Sequence, residues 1–331
     1  MEKFEGLSKK YAEEGWLIPE ADLTFGRILG RGASGTTYMG ELHGETVAIK
    51  AYSVSILRND SVSVKNEMDI MARVKHDNIV QFRGLCLSMD PAAAALVTSF
   101  ATGGELGDAL YKRNTIKKGG DAARFKVAIG LARGLKFLHE NGLIHRDIKP
   151  ANVLLDANGE PLLTDFGFSR MVDVSGDMTG ETGSYLYMAP EVVRHTTYSA
   201  KADTFSYAIL VNEIFSDERP YGHLLPMHAA IGVVKKGLRP SQKRIRNSQL
   251  RSLLATCWDA MPDKRPDWDT IISTLEEFRL QSTTSSSRHS SRSLGRPQPL
   301  NNGGGASSSS SGVSRLLRKL AVSSPSESKR S

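Results

Sequence analysis

The chain has 331 residues, 40% apolar and 24% charged. That balance suits a folded body with a sizeable core and excludes a collagen-like, disulfide-stapled or wholly disordered chain. The net charge of +7 sits at one end: residues 281–331 carry eight Lys/Arg against one Glu, while the first 280 residues hold 35 of each sign. Charge therefore gives no reason to read the body as a nucleic-acid binder. Cys86 and Cys257 stand at no metal or disulfide-framework spacing and read as buried free thiols in a reducing compartment. The charged start lacks an apolar signal core, Glu2 stands where myristoylation needs glycine, and no prenylation cysteine ends the chain. The longest apolar run, residues 91–101, is too short to span a bilayer. A cytoplasmic protein, with the nucleus as the alternative, is expected, without a transmembrane segment and mostly monomeric.

In chain order, the pattern is strand-rich with one helix up to about residue 100, and helical from about 105. This predicts an α+β architecture, a small β-rich lobe followed by a larger helical one, joined near S-F-A-T-G-G (99–104). Early in the first lobe stands G-R-G-A-S-G (30–35). The residues after Gly35, T-T-Y-M-G-E-L, are β-formers; then come the turn His43-Gly44 and a second strand, T-V-A-I-K-A-Y. The glycines thus lie in the tip of an antiparallel hairpin and not at a helix N-terminus, which argues against a dinucleotide fold. A phosphate cradle and a plain glycine-rich hairpin both remain open on the glycines alone. Alternation puts Val47 and Ile49 on one face and Ala48 and Lys50 on the other. A helix is predicted from about Ser61 to Lys75, with Ile70, Met71 and Val74 as its apolar stripe and Glu67 on the same stripe. A buried carboxylate is costly unless paired, and Lys50 is its natural partner.

The second lobe opens with an amphipathic helix over 123–142, closed by Asn141-Gly142. L-I-H-R-D-I-K-P-A-N-V-L-L-D follows, then the turn D-A-N-G-E (156–160) and the strand P-L-L-T (161–164), which leads to Asp165. The open ends of a hairpin lie side by side, so Asn152 and Asp165 are expected as neighbours, hard oxygen ligands suited to magnesium. A single Asp or Asn in a loop is more often a turn cap; here Asp147, Lys149, Asn152 and Asp165 converge on one rim.

Taken together, residues 16–280 resemble a eukaryotic protein kinase catalytic domain. The parts stand in that family's order: G-R-G-A-S-G (30–35), V-A-I-K (47–50), Glu67, H-R-D-I-K-P-A-N (145–152), D-F-G (165–167) and A-P-E (189–191). The stretches 16–30, 182–192 and 257–266, with Lys149 and Ser184, are similar to the tyrosine-kinase-like group, whose members mostly phosphorylate Ser/Thr. The resemblance implies a bilobal fold: N-lobe about 16–98, hinge 99–104, C-lobe 105–280, flanked by an N-terminal extension (1–15) and a basic, serine-rich tail (281–331) expected to be disordered. It implies ATP with magnesium, for which manganese can stand in, and protein substrates. Ile28, Leu29, Gly30, Arg31, Gly32, Ala33, Ser34, Gly35, Thr36 and Thr37 would cover the nucleotide, with Thr37 where valine is usual. Ala48, Leu154, Thr98, Ser99 and Ala101 would line the adenine pocket, Thr98 as its gate. Lys50, paired with Glu67, would hold phosphates; Asp147 would take or orient the substrate proton; Lys149 would neutralise the transferring phosphoryl; Asn152 and Asp165 would bind the metal. Glu191 with Arg265, and Asp203 beneath the catalytic loop, are implied as structural, and His145 as a core histidine. Phe205 replaces a common tryptophan.

Arg146 before Asp147 suggests control by an upstream kinase acting on Thr179 or Thr182, with Ser175 a further hydroxyl of that segment; undiminished turnover in the double alanine variant would overturn this. In the tail, V-S-R-L-L-R-K-L-A-V (313–322) reads as a short amphipathic island and Ser324-Pro325 as a weak docking signal. The competing readings are a scaffold that has lost catalysis, opposed by the complete set of catalytic residues, and a small-metabolite kinase, opposed by A-P-E and Ser184.

Overall fold

The computed structural model describes residues 9–32, 35–52, 61–87, 94–166, 170–171 and 184–290. Ala33, Ser34, Gly167, Ser175, Thr179, Thr182, the island 313–322 and Ser324-Pro325 lie outside the described residues. Met1–Arg288 forms one compact unit.

Its first part is a five-stranded antiparallel sheet of β1 (Leu23–Gly32), β2 (Gly35–Leu42), β3 (Glu45–Tyr52), β4 (Phe82–Leu87) and β5 (Ala94–Ser99), in the order β1-β2-β3-β5-β4. His43 and Gly44 both take positive φ (50° and 83°), which lets a two-residue turn match the twist of β2 and β3. Val47 and Ile49 are buried on one face with Leu23, Cys86, Ala95 and Val97. The opposite face of β3 carries Lys50 and Tyr52 to Glu67 of helix α1 (Ser61–Arg73). After α1 the chain crosses to the second part through Asn78, whose carbonyl accepts Leu163 N–H at 2.9 Å and whose side-chain amide donates to Pro161 O at 3.0 Å.

The second part is helical: α2 (Leu106–Tyr111), α3 (Thr115–Lys118), α4 (Gly120–Glu140), α5 (Pro190–Val193), α6 (Lys201–Ser216), α7 (Pro226–Lys236), α8 (Ser248–Cys257) and α9 (Trp268–Ser290). Just before α2 lies β6 (Gly104–Glu105); between α4 and α5 lie β7 (Leu143–Ile144), the hairpin β8 (Val153–Leu155) with β9 (Pro161–Leu163), and β10 (Arg170–Met171), where β6 pairs with β8 and β10 with β7. The hairpin seats against α4 because Gly130 and Gly134 leave room. A Cβ at those positions would come within 2.5 Å of Pro161 Cγ and 2.9 Å of Leu163 Cδ1. Helix α6 is buried on nearly every side, so its polar groups all need partners. Phe205 carries the guanidinium groups of Arg239 and Arg265 over its ring, 4.8 and 5.2 Å from the ring centre. Both cysteines are buried and free.

Two boundaries differ from the sequence reading. Tyr11, placed there in an extension ending at residue 15, is 1% exposed inside the core. A short polar stretch has no periodicity that would announce this. Helix α9 runs to Ser290, past the boundary drawn at 280. The serine-rich composition that suggested a tail begins within its last turns.

Glu213, near the end of α6, accepts hydrogen bonds from Tyr111 Oη of α2 and, at 2.8 Å, from Tyr187 Oη. Burial pushes its carboxyl up from 4.5 to about 7, against the lowering effect of the two tyrosines. A raised carboxyl value means that the folded state keeps a proton the unfolded chain releases. This group's stabilisation is full below pH 4.5 and is lost as pH rises through 7. Glu213→Gln is therefore expected to raise the thermal midpoint at pH 8 and to leave it unchanged at pH 4.5. One kcal/mol corresponds to about 2–4 °C in a domain of this size. Parallel melting curves for the two proteins at both pH values would contradict it.

Candidate active site

The site lies where the β3 face, helix α1 and the loops around β8 and β9 meet. Lys50 Nζ is 2.7 Å from Glu67 Oε1 and 3.2 Å from Asp165 Oδ1. Burial works against the ammonium charge, but the two carboxylates outweigh it and hold Lys50 up at about 12. Burial likewise opposes the Asp165 charge, and Lys50 outweighs it, keeping this carboxyl below the usual range. The other Glu67 oxygen accepts Tyr52 Oη at 2.9 Å. Tyr52 was not among the expected site residues. Its position two after Lys50, on the same strand face, is the signal that could have found it.

Gly30, Arg31 and Gly32 pair with Thr37, Thr36 and Gly35 at the end of the β1–β2 hairpin. Gly35 has φ 149°, and a Cβ there would meet Ala51 O at 2.4 Å, so only glycine fits. Ile28 and Leu29 are 42% and 38% exposed, apolar side chains left uncovered on the same strand. Thr37 pairs with Lys50, and Ala48 with Thr98. Ser99 accepts Gln81 N–H on its hydroxyl, and Ala101 follows it, buried. Leu154 lies in β8, paired with Leu162.

The loop between β7 and β8 carries Asp147, 6% exposed, ringed by donors. Ser184 Oγ donates to Asp147 Oδ1 at 2.8 Å. Lys149 Nζ lies 2.7 Å from Asp147 Oδ2 and donates to Ser184 Oγ at 3.1 Å. Asn152 Nδ2 donates to both Asp147 Oδ2 and its backbone oxygen at 2.8 Å. Asn152 O accepts Thr164 N–H at 3.1 Å, which closes the open end of the β8–β9 hairpin beside Asp165. The turn that makes this hairpin is fixed by Asp156 Oδ1, which accepts the N–H of Asn158 and of Glu160.

The loop is held in a strained conformation. Arg146 and Asp165 have φ of 74° and 62°, uncommon for residues with a Cβ. Asp203, 1% exposed at the start of α6, accepts the N–H groups of His145 and Arg146 at 2.8 Å each. His139 Nε2 lies 2.9 Å from the same carboxylate, and Trp268 Nε1 donates to His139 Nδ1 at 2.7 Å, so the ring nitrogen facing Asp203 carries the hydrogen. His139 and Trp268 were not anticipated from sequence. His145 is fully buried: its Nδ1 accepts Asp147 N–H at 3.4 Å and its Nε2 faces Thr164 O at 3.1 Å.

Does the donor set fit a nucleotide with magnesium? Among the described residues no group of three His, Cys, Asp or Glu could hold a metal ion. The amide nitrogen of Asn152 is engaged by Asp147, which leaves its Oδ1 as an acceptor, and Asp165 turns one oxygen to Lys50. Two hard oxygen ligands and no third suit a hydrated magnesium ion whose shell is completed by phosphate, not a metal caged by protein alone. The residues fit.

A glycine hairpin over a lysine–glutamate pair, joined to an aspartate loop braced from an apolar helix, is the arrangement of a kinase fold. The profile of the family described as protein tyrosine and serine/threonine kinase matches residues 23–275, and the chain belongs to that family. Its motif details resemble those of the tyrosine-kinase-like group. It is 40% identical over 264 residues to the serine/threonine-protein kinase STY46 of Arabidopsis thaliana, covering 80% of this chain and 45% of that protein. To STY17 of the same plant it is 38% identical, over 80% of this chain and 46% of the relative. To the serine/threonine-protein kinase TNNI3K of Homo sapiens it is 33% identical, over 78% of this chain and 31% of the relative. The chain thus spans under half the length of these curated relatives. No helix among the described residues is long and apolar enough to cross a membrane.

Proposed function

We propose that this chain is a protein serine/threonine kinase that transfers the γ-phosphate of magnesium-ATP to protein hydroxyls in signalling. The observation that carries the reading is the ring of Ser184, Lys149 and Asn152 around the Asp147 carboxylate. In this reading the nucleotide supplies the phosphoryl group and magnesium neutralises the charge that develops on it. Asn152 and Asp165 would hold the metal, Lys50 the phosphates, and Ala48, Thr98, Ser99, Ala101 and Leu154 the base. Asp147 receives the substrate hydroxyl proton as the substrate oxygen bonds to the γ-phosphorus and the bond to the leaving nucleoside diphosphate breaks. Lys149 offsets the negative charge that builds up beside it. Most of the rate comes from positioning and electrostatics, which suits a site prearranged by hydrogen bonds.

The test is γ-phosphate incorporation from magnesium-ATP into a generic basic protein, beside Asp165→Asn. Phosphoserine and phosphothreonine that vanish in the variant are expected. Fast transfer to a small alcohol with only traces on protein would favour the metabolite-kinase alternative. Nucleotide binding without any transfer would favour the scaffold.

A further inference from the structure

The helix that carries Glu67 is held from two sides. Successive helix residues turn by 100°, so Asp69 projects about 200° round from Glu67, away from Lys50. Asp69 Oδ1 accepts the Tyr11 hydroxyl at 2.6 Å and Lys10 Nζ at 2.8 Å. Tyr11 is not a surface contact. It is 1% exposed and shares a core with Met68 and Met71 of α1 and with Leu85 of β4. Burial raises the Tyr11 hydroxyl, with Asp69 adding to the effect. Burial also opposes the Asp69 charge, and its bonds from Lys10 and Tyr11 outweigh this and hold the carboxyl below its usual value.

The chain runs from Tyr11 straight to the sheet. Trp16 N–H donates to Tyr11 O at 2.8 Å, and the Trp16 ring packs on Phe82, with centroids 4.9 Å apart. Leu85 N–H donates to Trp16 O at 2.8 Å, and Ile18 N–H to Leu85 O at 2.7 Å. These bonds cover the edge strand β4. They depend on Gly84, where a Cβ would lie 2.7 Å from Trp16 O. One short stretch is therefore anchored to the back of α1 at one end and to the sheet at the other.

We infer that Tyr11–Ile18 is a clamp that sets the depth of α1 against the sheet, with Tyr11 and Asp69 acting as positioning residues for Glu67. Lys50 and Tyr52 draw Glu67 toward the sheet from the front; Tyr11 and Lys10 fix the same helix from behind. A change in the N-terminal segment would then be felt at the phosphate-binding lysine without touching it. The kinetic arm of the test rests on the kinase reading, and the exchange arm on geometry alone.

In the full chain, Asp69→Ala is expected to lower kcat about tenfold, the population shift that follows loss of one charge-assisted pair. Tyr11→Phe keeps the ring in the core and is expected to give a smaller loss of the same kind. Because the effect acts through Glu67, Asp69→Ala should remove nothing further from a Glu67→Gln enzyme. A merely structural role would subtract equally in both backgrounds. Amide hydrogen exchange within α1 is expected to quicken in Asp69→Ala while exchange in α6 stays unchanged. Equal losses in both backgrounds, or α1 exchange at the wild-type rate, would overturn the clamp. If the wild-type chain transfers no phosphate, the functional reading fails and the exchange measurement alone decides the clamp.

Discussion

Asp147→Asn is expected to lower phosphate transfer about 10²–10⁴-fold, the usual contribution of a positioned general base. The replacement is isosteric, and Asp147 lies in a pocket shaped by three donors: Ser184 Oγ, Lys149 Nζ and Asn152 Nδ2. An asparagine oxygen can still accept from two of them, so the loop stays in place. The amide nitrogen facing the third is the only mismatch. What disappears is the group proposed to take the proton, together with the negative charge that holds Lys149. Nucleotide binding should survive, because Lys50, Glu67 and Asp165 form a separate set of contacts. The measurement is kcat beside the nucleotide dissociation constant and the thermal midpoint. Turnover near wild type would remove Asp147 from the proton path. Loss of nucleotide binding in step with turnover would show that the substitution had disturbed the whole loop.

Arg265→Ala is expected to be the most destabilising single change in the helical part, by about 3–5 kcal/mol, the usual effect of breaking a buried pair by removing one partner. The Arg265 side chain is fully buried and forks onto Glu191, Nη1 to Oε1 at 2.6 Å and Nη2 to Oε2 at 2.9 Å. Nη1 also donates to Lys201 O at 2.8 Å and Nε to Asp259 O at 3.0 Å. Truncation leaves a buried carboxylate with no counter-charge, two carbonyls without their donor, and the Phe205 ring without one of its two guanidinium contacts. Lysine cannot reproduce the fork, so Arg265→Lys should also be strongly destabilising. Glu191→Leu with Arg265→Met removes both charges and is expected to recover much of the loss, because the desolvation of the ions goes with them. Denaturant midpoints of the three proteins give the comparison. A double variant less stable than Arg265→Ala would show that the pair itself, and not the unpaired charge, carries the stability. Since a domain is stable by only about 5–15 kcal/mol, the single variant should also be scarce in cells.

Several parts of the site were legible because local periodicity encodes them. Alternation along β3 put Lys50 opposite the face buried by Val47 and Ile49, and helical spacing put Glu67 on the inner stripe of α1; the structure joins the two at 2.7 Å. The turn chemistry of residues 156–160 brings Asn152 beside the strand that leads to Asp165. The Glu191–Arg265 pair and the Asp203 brace followed from resemblance, not from spacing, for both link residues more than 50 positions apart. Tyr52, His139 and Trp268 were missed, although Tyr52 obeys the same alternation as Lys50.

Which chemical groups are present, in what order, and on which face of its own strand or helix each stands can all be read from the order of the amino acids. Those are consequences of backbone geometry over a few residues. It took the packed fold to show that Tyr11 belongs to the core, that Asp69 is held from behind, and that Ser184 closes on the Asp147 carboxylate. Contacts of that kind pair residues far apart in the chain. They form only when burial of the whole core brings the elements together, and they leave no mark in local spacing.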